Sequence, residues 1–159
     1  RDWQFRTNGT KAKHHTLIRG SYHYYRPNEN STRQFTNFKN TVTLEIGDFP
    51  PILDVEQESS FGRDVLRQGV KNWLKLAEEH YGIKPVIYSG LEFYQTILKG
   101  HVDGYPLWIA AYSGKHRVKD VDWTFHQFTE RVKVKGVRDG VDGNDFNGTL
   151  AELSEMCKK

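Results

Sequence analysis

The chain of 159 residues carries a formal net charge of +3, with 36% hydrophobic and 27% charged residues. This balance is typical of a globular protein with a buried core, and no apolar stretch approaches a membrane span, which excludes an integral membrane protein. No nucleic-acid-binding motif is present, and we expect the loose basic group at Arg131, Lys133 and Lys135 to be a solvated face.

Strand-like and helix-like segments alternate along the chain. Strands are expected at 20–25, 50–56, 84–89, 106–112, 124–128 and 140–146, with 132–137 turning back on the fifth as a hairpin. Helices are expected from Ser31 or Thr32, over 63–81 up to Gly82, over 91–98, and over 150–156 after Asn147 or Thr149. This alternation predicts an α/β fold with a parallel sheet of six principal strands, in one domain spanning 1–159.

Asp54 and Glu56 end the predicted strand 50–56. Side chains at positions i and i+2 of a strand share a face, with backbones about 7 Å apart, so the two carboxyl groups are expected on one surface. Burial and mutual repulsion would raise one pKa, and we expect the proton on Glu56. An acid beside a carboxylate is what glycoside hydrolysis needs. From the spacing alone, two solvated acids in a loop would be the commoner interpretation.

Aromatic residues make up 13% of the chain. Several alternate with polar residues in the predicted strands: Tyr22 and Tyr24 share one face, as do Trp108 and Tyr112. Rings of this kind suit sugar binding, and core packing is the alternative interpretation of each. Neither the histidines nor the acidic segment 142–145 has the spacing of a metal site, so we expect no metal.

Five segments of the sequence form an ordered set: 19–27 (RGSYHYYRP), 50–56 (PPILDVE), 85–89 (PVIYS), 107–112 (LWIAAY) and 141–148 (VDGNDFNG). In this order and spacing they resemble the glycoside hydrolase family 25 lysozymes, the Chalaropsis-type N-acetylmuramidases. Each segment alone is weakly specific, but together they cover essentially the whole chain. The resemblance implies a TIM-like (β/α) barrel and no cofactor.

The resemblance also implies roles for individual residues. Glu56 corresponds to the general acid/base, and Asp54 to the residue that orients the N-acetyl group or stabilises the charged intermediate. Asp142 corresponds to a further acid at the barrel mouth. The residues implied to contact the glycan or shape the site are Tyr22, Tyr24, Tyr88, Trp108, Tyr112 and Gln127.

The sequence departs from the family pattern at its start. Members usually begin with two further strands, the first carrying an aspartate, whereas segment 1–8 resembles the stretch that comes after the second strand. We therefore expect an N-terminally truncated barrel with about six of eight strands, the first two missing, and poor hydrolysis by this chain alone. A shortened relative with an open barrel is the alternative.

The resulting expectation is a lysozyme that cleaves the β-1,4 bond between N-acetylmuramic acid and N-acetylglucosamine, outside the cell or at the wall. Its partner would be bacterial peptidoglycan, without nucleic acid or membrane insertion, and the chain would be a monomer. A chitinase-like glycosidase is one rival, although such enzymes carry an aspartate where Ile52 stands. A catalytically impaired wall-binding module is the other.

Overall fold

The computed structural model describes residues 3–112 and 114–159. The strands are β1 (Tyr22–Tyr24), β2 (Ile52–Asp54), β3 (Val86–Gly90), β4 (Leu107–Ala110), β5 (Phe125–Val132) and β6 (Val141–Phe146). The α-helices are α1 (Phe5–His14), α2 (Ser31–Lys39), α3 (Arg63–Tyr81), α4 (Leu91–Phe93) and α5 (Leu150–Met156), with a π-helical turn at Tyr94–Leu98 and a 3₁₀ turn at Lys115–Val118. Across these described ranges, no helix combines the length and apolar character that a membrane crossing requires.

The six strands form one sheet in chain order, from β1 at one edge to β6 at the other, and the sheet is not closed into a barrel. Neighbours from β1 to β5 are parallel, whereas β5 and β6 are antiparallel. The predicted number of strands is confirmed, but the prediction of a parallel sheet is wrong for the last pair. The connection 133–140 is shorter than the dozen or so residues that a parallel crossover needs. Of the predicted hairpin segment 132–137, Val132 ends β5 and the remaining residues belong to this connection, so the returning strand is β6.

The two faces of the sheet are covered differently. Leu53, Ile87 and Ile109 point to the face that packs against the helices, in a core where Trp73 is fully buried. On the opposite face, a smaller apolar cluster around Ile52 lies at the amino ends of the strands, where α5 packs on it. Its other members include Phe49, Val86, Phe125, Leu153, Met156 and Cys157. Helix α5 therefore covers only the amino ends of this face and leaves the carboxyl ends open.

Helix α3 has the bounds that the sequence predicts, because its apolar residues recur on one stripe. It ends at Gly82, whose φ of 67° lies in the left-handed region that favours glycine. The residues of the stripe that are fully buried are Leu66, Val70, Trp73, Leu74 and Ala77. Burial of this stripe holds α3 against the sheet.

Two helix starts use particular capping residues. Helix α2 is capped by Asn30, whose side chain accepts a hydrogen bond from the Arg33 N–H, rather than by the predicted Ser31 or Thr32. Helix α5 is capped by Thr149, one of the two predicted candidates. Thr149 and Glu152 bond to each other's backbone N–H groups in a capping box.

Two helical segments differ from the prediction. In place of one α-helix over 91–98, α4 passes into the π-helical turn, where the Lys99 N–H bonds the Tyr94 carbonyl five residues back. This turn buries Tyr94, Ile97 and Leu98. Helix α1 is absent from the prediction because it buries none of its residues, so no apolar stripe marks it in the sequence.

Gly69 on α3 lies against the hydroxyl group of Tyr25. A Cβ atom at position 69 would lie 2.1 Å from the Tyr25 hydroxyl oxygen. The Tyr25 side chain is 3% exposed, so its ring has little room to move. We expect Gly69→Ala to lower the free energy of unfolding by about 1–3 kcal/mol, although alanine is the better helix former. Urea denaturation followed by circular dichroism measures the change.

Gly9→Ala in α1 is the matched control, because the atom nearest to its added Cβ, Nη1 of Arg19, is 3.9 Å away. Here we expect a gain of up to about 1 kcal/mol from helix propensity. In the double variant Tyr25→Phe/Gly69→Ala, the closest remaining ring atom is 3.4 Å away, so the double variant should be more stable than Gly69→Ala, although it also lacks the hydrogen bond of Tyr25 with Ser31. Equal stability of Gly69→Ala and the wild type would contradict the predicted clash.

Candidate active site

The register of four strands brings one row of side chains together on the open face of the sheet. Tyr24 pairs with Asp54, Asp54 with Tyr88, and Tyr88 with Trp108. Paired residues in a parallel sheet point to the same side, so a carboxyl group lies among aromatic rings. Tyr24 and Asp54 are the last residues of β1 and β2, which places the row at the carboxyl edge of the sheet.

Asp54 and Glu56 occupy different environments at this edge. Glu56, just beyond β2, is exposed, whereas Asp54 is half-buried. The Oδ1 atom of Asp54 is buried and has no hydrogen-bond partner among the described residues. Burial, and after it the charge of Glu56, raises the pKa of Asp54 to about 7. The raised pKa therefore belongs to Asp54, whereas the sequence analysis places the proton on Glu56.

Two phenol groups meet at one amide beside the row. The Tyr88 hydroxyl donates to Oε1 of Gln127 at 2.8 Å, and the Tyr112 hydroxyl donates to the same atom at 3.0 Å. Gln127 is 4% exposed, so the bonds hold its amide in one orientation. Burial is the main cause of the raised pKa values of both phenols, and the charge of Glu56 adds to each. Glu56 therefore lies within electrostatic reach of both rings.

Trp108 and Tyr24 make further contacts at this site. The indole N–H of Trp108 donates to Oδ1 of Asn144 at 2.8 Å. The Trp108 ring meets Tyr88 edge-on, with 6.0 Å between ring centroids. The guanidinium carbon of Arg26 lies 5.9 Å from the centroid of the Tyr24 ring. These contacts fix the orientation of the rings along the row.

Asp142 and Tyr22 lie at the margins of this candidate site. Asp142 on β6 is exposed, and its carboxylate adds to the raised pKa of Tyr112, which burial mainly causes. Tyr22 pairs with Ile52, nearer the amino edge of the sheet, and is 68% exposed. Among the contacts between described residues, none joins Tyr22 to the carboxyl pair. The predicted site residues that the structure does bring together are Tyr24, Asp54, Glu56, Tyr88, Trp108, Tyr112, Gln127 and Asp142.

Two residues at the site were not assigned to it by sequence reasoning. Asn144 lies two positions after Asp142 on β6, so strand alternation could have indicated it. Ser89 is fully buried, and its hydroxyl donates to the Val55 carbonyl at 2.8 Å. A serine that follows a tyrosine in a short strand carries no signal of this contact.

The groups that the site offers are carboxyl, phenol, indole and amide. Within residues 3–112 and 114–159, no cluster of three or more His, Cys, Asp or Glu side chains is arranged to hold a metal ion. Such a site can donate and accept protons, stabilise a positive charge, and pack flat apolar rings. Those capacities match the needs of a hydrolase acting on a sugar polymer.

Two solved structures with the same fold come from bacteria. A family 25 glycosyl hydrolase from Bacillus anthracis superposes with a TM-score of 0.88 at 26% identity, over 98% of this chain and 76% of that one. The bacterial lysozyme from Streptomyces coelicolor gives a TM-score of 0.85 at 26% identity, over 99% and 80%. The predicted TIM-like α/β fold is confirmed by these likenesses, with the sheet left open in this chain.

The proteins that are similar in sequence include a lysozyme. YegX of Escherichia coli K12 is 42% identical over 155 residues, which cover 96% of this chain and 54% of YegX. Lysozyme M1 of Streptomyces globisporus is 28% identical over 175 residues, covering 99% of this chain and 59% of that protein. The chain thus spans little more than half the length of these curated relatives. The family model for glycosyl hydrolases family 25 matches residues 1–137, and the chain belongs to this family.

Proposed function

We propose that the protein carrying this chain is a lysozyme, an N-acetylmuramidase that cleaves the β-1,4 bond between N-acetylmuramic acid and N-acetylglucosamine in peptidoglycan. The observation that carries the proposal is the placement of Asp54 and Glu56 at one open sheet edge, within a row of aromatic rings. Family membership and the likeness to Lysozyme M1 support peptidoglycan as the substrate. The site of action is then the bacterial wall, outside the cell.

Glu56 serves as the general acid and base in this proposal. Its carboxyl group is exposed beyond the end of β2, where a glycosidic oxygen can reach it from the open face of the sheet along the row from Tyr24 to Trp108, which we call the groove. It gives its proton to the leaving oxygen as the bond from the anomeric carbon to that oxygen breaks. It then takes a proton from the water whose oxygen bonds to the anomeric carbon, which restores the starting state.

Asp54 stabilises the positive charge that develops at the anomeric carbon. With a pKa of about 7, Asp54 is increasingly ionised through neutral pH and above, and the ionised form provides the stabilising charge. Two routes give retention of configuration: covalent bonding of Asp54 to the sugar, or orientation of the substrate's own acetamido group by Asp54. Asp142 adds a further negative charge at the mouth of the groove.

The surrounding side chains hold the sugar rings. Tyr24, Tyr88 and Trp108 provide flat apolar faces along the row, which suit the apolar faces of pyranose rings. The exposed Tyr112 side chain provides a polar group for the hydroxyl and acetamido substituents, and the buried Gln127 amide holds that side chain in place. This arrangement gives the groove both apolar contact and polar selectivity.

Product analysis tests the proposal. The protein is incubated with purified bacterial sacculi and, separately, with chitin, and the new reducing ends are reduced with borohydride and identified. A muramidase yields reduced N-acetylmuramic acid from sacculi, and we expect no fragments from chitin. Fragments from chitin alone would establish the chitinase-like alternative. Tight binding to sacculi without new reducing ends would establish a wall-binding module instead.

A further inference from the structure

The buried hydroxyl group of Ser89 hydrogen-bonds to Val55, the residue between Asp54 and Glu56. Ser89 on β3 is 0% exposed, and its Oγ donates to the carbonyl oxygen of Val55 at 2.8 Å. Val55, the residue between Asp54 and Glu56, is also 0% exposed. Water therefore has no access to this hydrogen bond and does not compete with it.

The hydroxyl replaces a backbone donor at the point where the regular ladder stops. The paired residues of β2 and β3 end at Asp54 and Tyr88. One further backbone bond follows, from the Val55 N–H to the Tyr88 carbonyl at 2.9 Å. The Val55 carbonyl then takes its donor from the Ser89 side chain, so both polar groups of Val55 are bound to β3.

We infer that Ser89 is a positioning residue: its hydroxyl fixes the peptide unit that leads from Val55 to Glu56, and so sets where the Glu56 carboxyl group meets the glycosidic oxygen. The inference rests on the proposed function of Glu56. Glu56 lies beyond the end of β2, and its exposed side chain makes no hydrogen bond that the described residues record. The direction of its Cα–Cβ bond therefore depends on the backbone that precedes it. Proton transfer needs its partners within hydrogen-bond reach, and a misplacement of about 1 Å can cost a hundredfold in rate.

The deciding comparison is between Ser89→Thr and Ser89→Val, because these side chains have the same shape and differ in the hydroxyl group. Rates are measured on soluble, uncrosslinked peptidoglycan strands. We expect Ser89→Thr to keep a kcat near that of the wild type, and Ser89→Val to lose about 10–100-fold in kcat relative to Ser89→Thr. The KM values should agree within about threefold, because the groove that binds the sugars is unchanged.

Tyr81→Phe is the control for simple loss of a buried hydrogen bond. The Tyr81 hydroxyl donates to the Val42 carbonyl at 2.9 Å, and both residues are buried away from the carboxyl pair. We expect this variant to lose stability without losing kcat. Equal kcat values for Ser89→Val and Ser89→Thr, or an equal loss in Tyr81→Phe at the same folded fraction, would overturn the inference.

A second readout needs no hydrolysis at all. Because the charge of Glu56 adds to the raised pKa of Asp54, a displacement of Glu56 changes its repulsion of the Asp54 carboxylate. Carboxyl-carbon NMR titration should therefore give different pKa values for Asp54 in Ser89→Val and in Ser89→Thr. If the wild type cleaves no glycan, the proposed function fails. The titration still decides the inference, since an identical Asp54 pKa in the two variants would refute positioning.

Discussion

Glu56→Gln is expected to lower the rate of peptidoglycan hydrolysis by about a thousandfold and to leave the fold intact. Glutamine has the shape of glutamate but cannot hold or deliver the proton that the leaving oxygen needs, and general acid–base groups contribute about 10²–10⁴ in rate. Because Glu56 is exposed, its stability effect should stay within about 0.5 kcal/mol. The measurement is the rate of release of new reducing ends from sacculi, with urea denaturation of the same samples.

Glu58→Gln is the matched control for this variant. Glu58 lies two residues further along the same segment, is exposed, and pairs with Arg63 at 3.2 Å. It undergoes the same change of charge two residues away on the same exposed segment, so a general electrostatic effect would appear in both variants. We expect Glu58→Gln to hydrolyse at nearly the wild-type rate. Equal rates for Glu56→Gln and the wild type would remove Glu56 from the chemistry.

Glu56→Gln also tests whether the charge of Glu56 affects the pKa of Asp54. The charge of Glu56 is the second cause, after burial, of the raised pKa of Asp54. Removal of that charge in Glu56→Gln should therefore lower the pKa of Asp54, which NMR titration detects directly. An unchanged pKa would mean that burial alone raises it.

The elements that local pattern determines were predictable from the sequence. The apolar stripe of α3 and the glycine that ends it indicate the correct bounds of this helix. The alternation of side chains along a strand places Asp54 and the aromatic residues on one face of the sheet. Strand direction is not a local property, so the antiparallel pairing of β5 with β6 escapes the prediction. Helix α1 escapes it because it has no buried residues from which an apolar stripe could be read.

The sequence predicts which residues belong to the site, but not how deeply each of them is buried. The i,i+2 spacing brings Asp54 and Glu56 to one surface, but the spacing contains nothing about which of them neighbouring strands bury. Asp54 lies between Tyr24 and Tyr88 in the register, so it loses water, whereas Glu56 extends beyond the strand. Burial therefore raises the pKa of Asp54, an environment that the spacing does not predict. The fixed row from Tyr24 to Trp108 likewise depends on register, which a single strand does not encode.

Asp54→Asn is expected to stabilise the protein at about pH 8 and to leave its stability nearly unchanged at about pH 4. The folded-state pKa of Asp54 is about 7, against an ordinary value of 3.8. Between these values the unfolded chain releases the proton while the folded chain keeps it, so the wild type loses stability as pH rises from about 4 to about 7. Asparagine carries no charge in either state and does not have this loss.

The gain should be about 1–2 kcal/mol at about pH 8, since part of the Asp54 carboxyl group faces water that screens its charge. Urea denaturation of variant and wild type at both pH values measures it. Asp120→Asn, which removes the same charge at an exposed position, is the control for the change of net charge. If the difference in free energy of unfolding between Asp54→Asn and the wild type were the same at both pH values, ionised Asp54 would not destabilise the fold.

The same substitution should lower hydrolysis by at least about a hundredfold, because the charge that destabilises the fold at about pH 8 is the charge that stabilises the cationic transition state. If Asp54 had only a structural role, its replacement would lower the stability and leave the rate of hydrolysis unaffected. Opposite signs for stability and activity in one variant therefore distinguish a catalytic Asp54 from a supporting one. The open sheet edge maintains this half-buried carboxyl group without a hydrogen-bond partner on Oδ1 among the described residues, and in the proposed reaction the cationic transition state would provide the positive charge that compensates it.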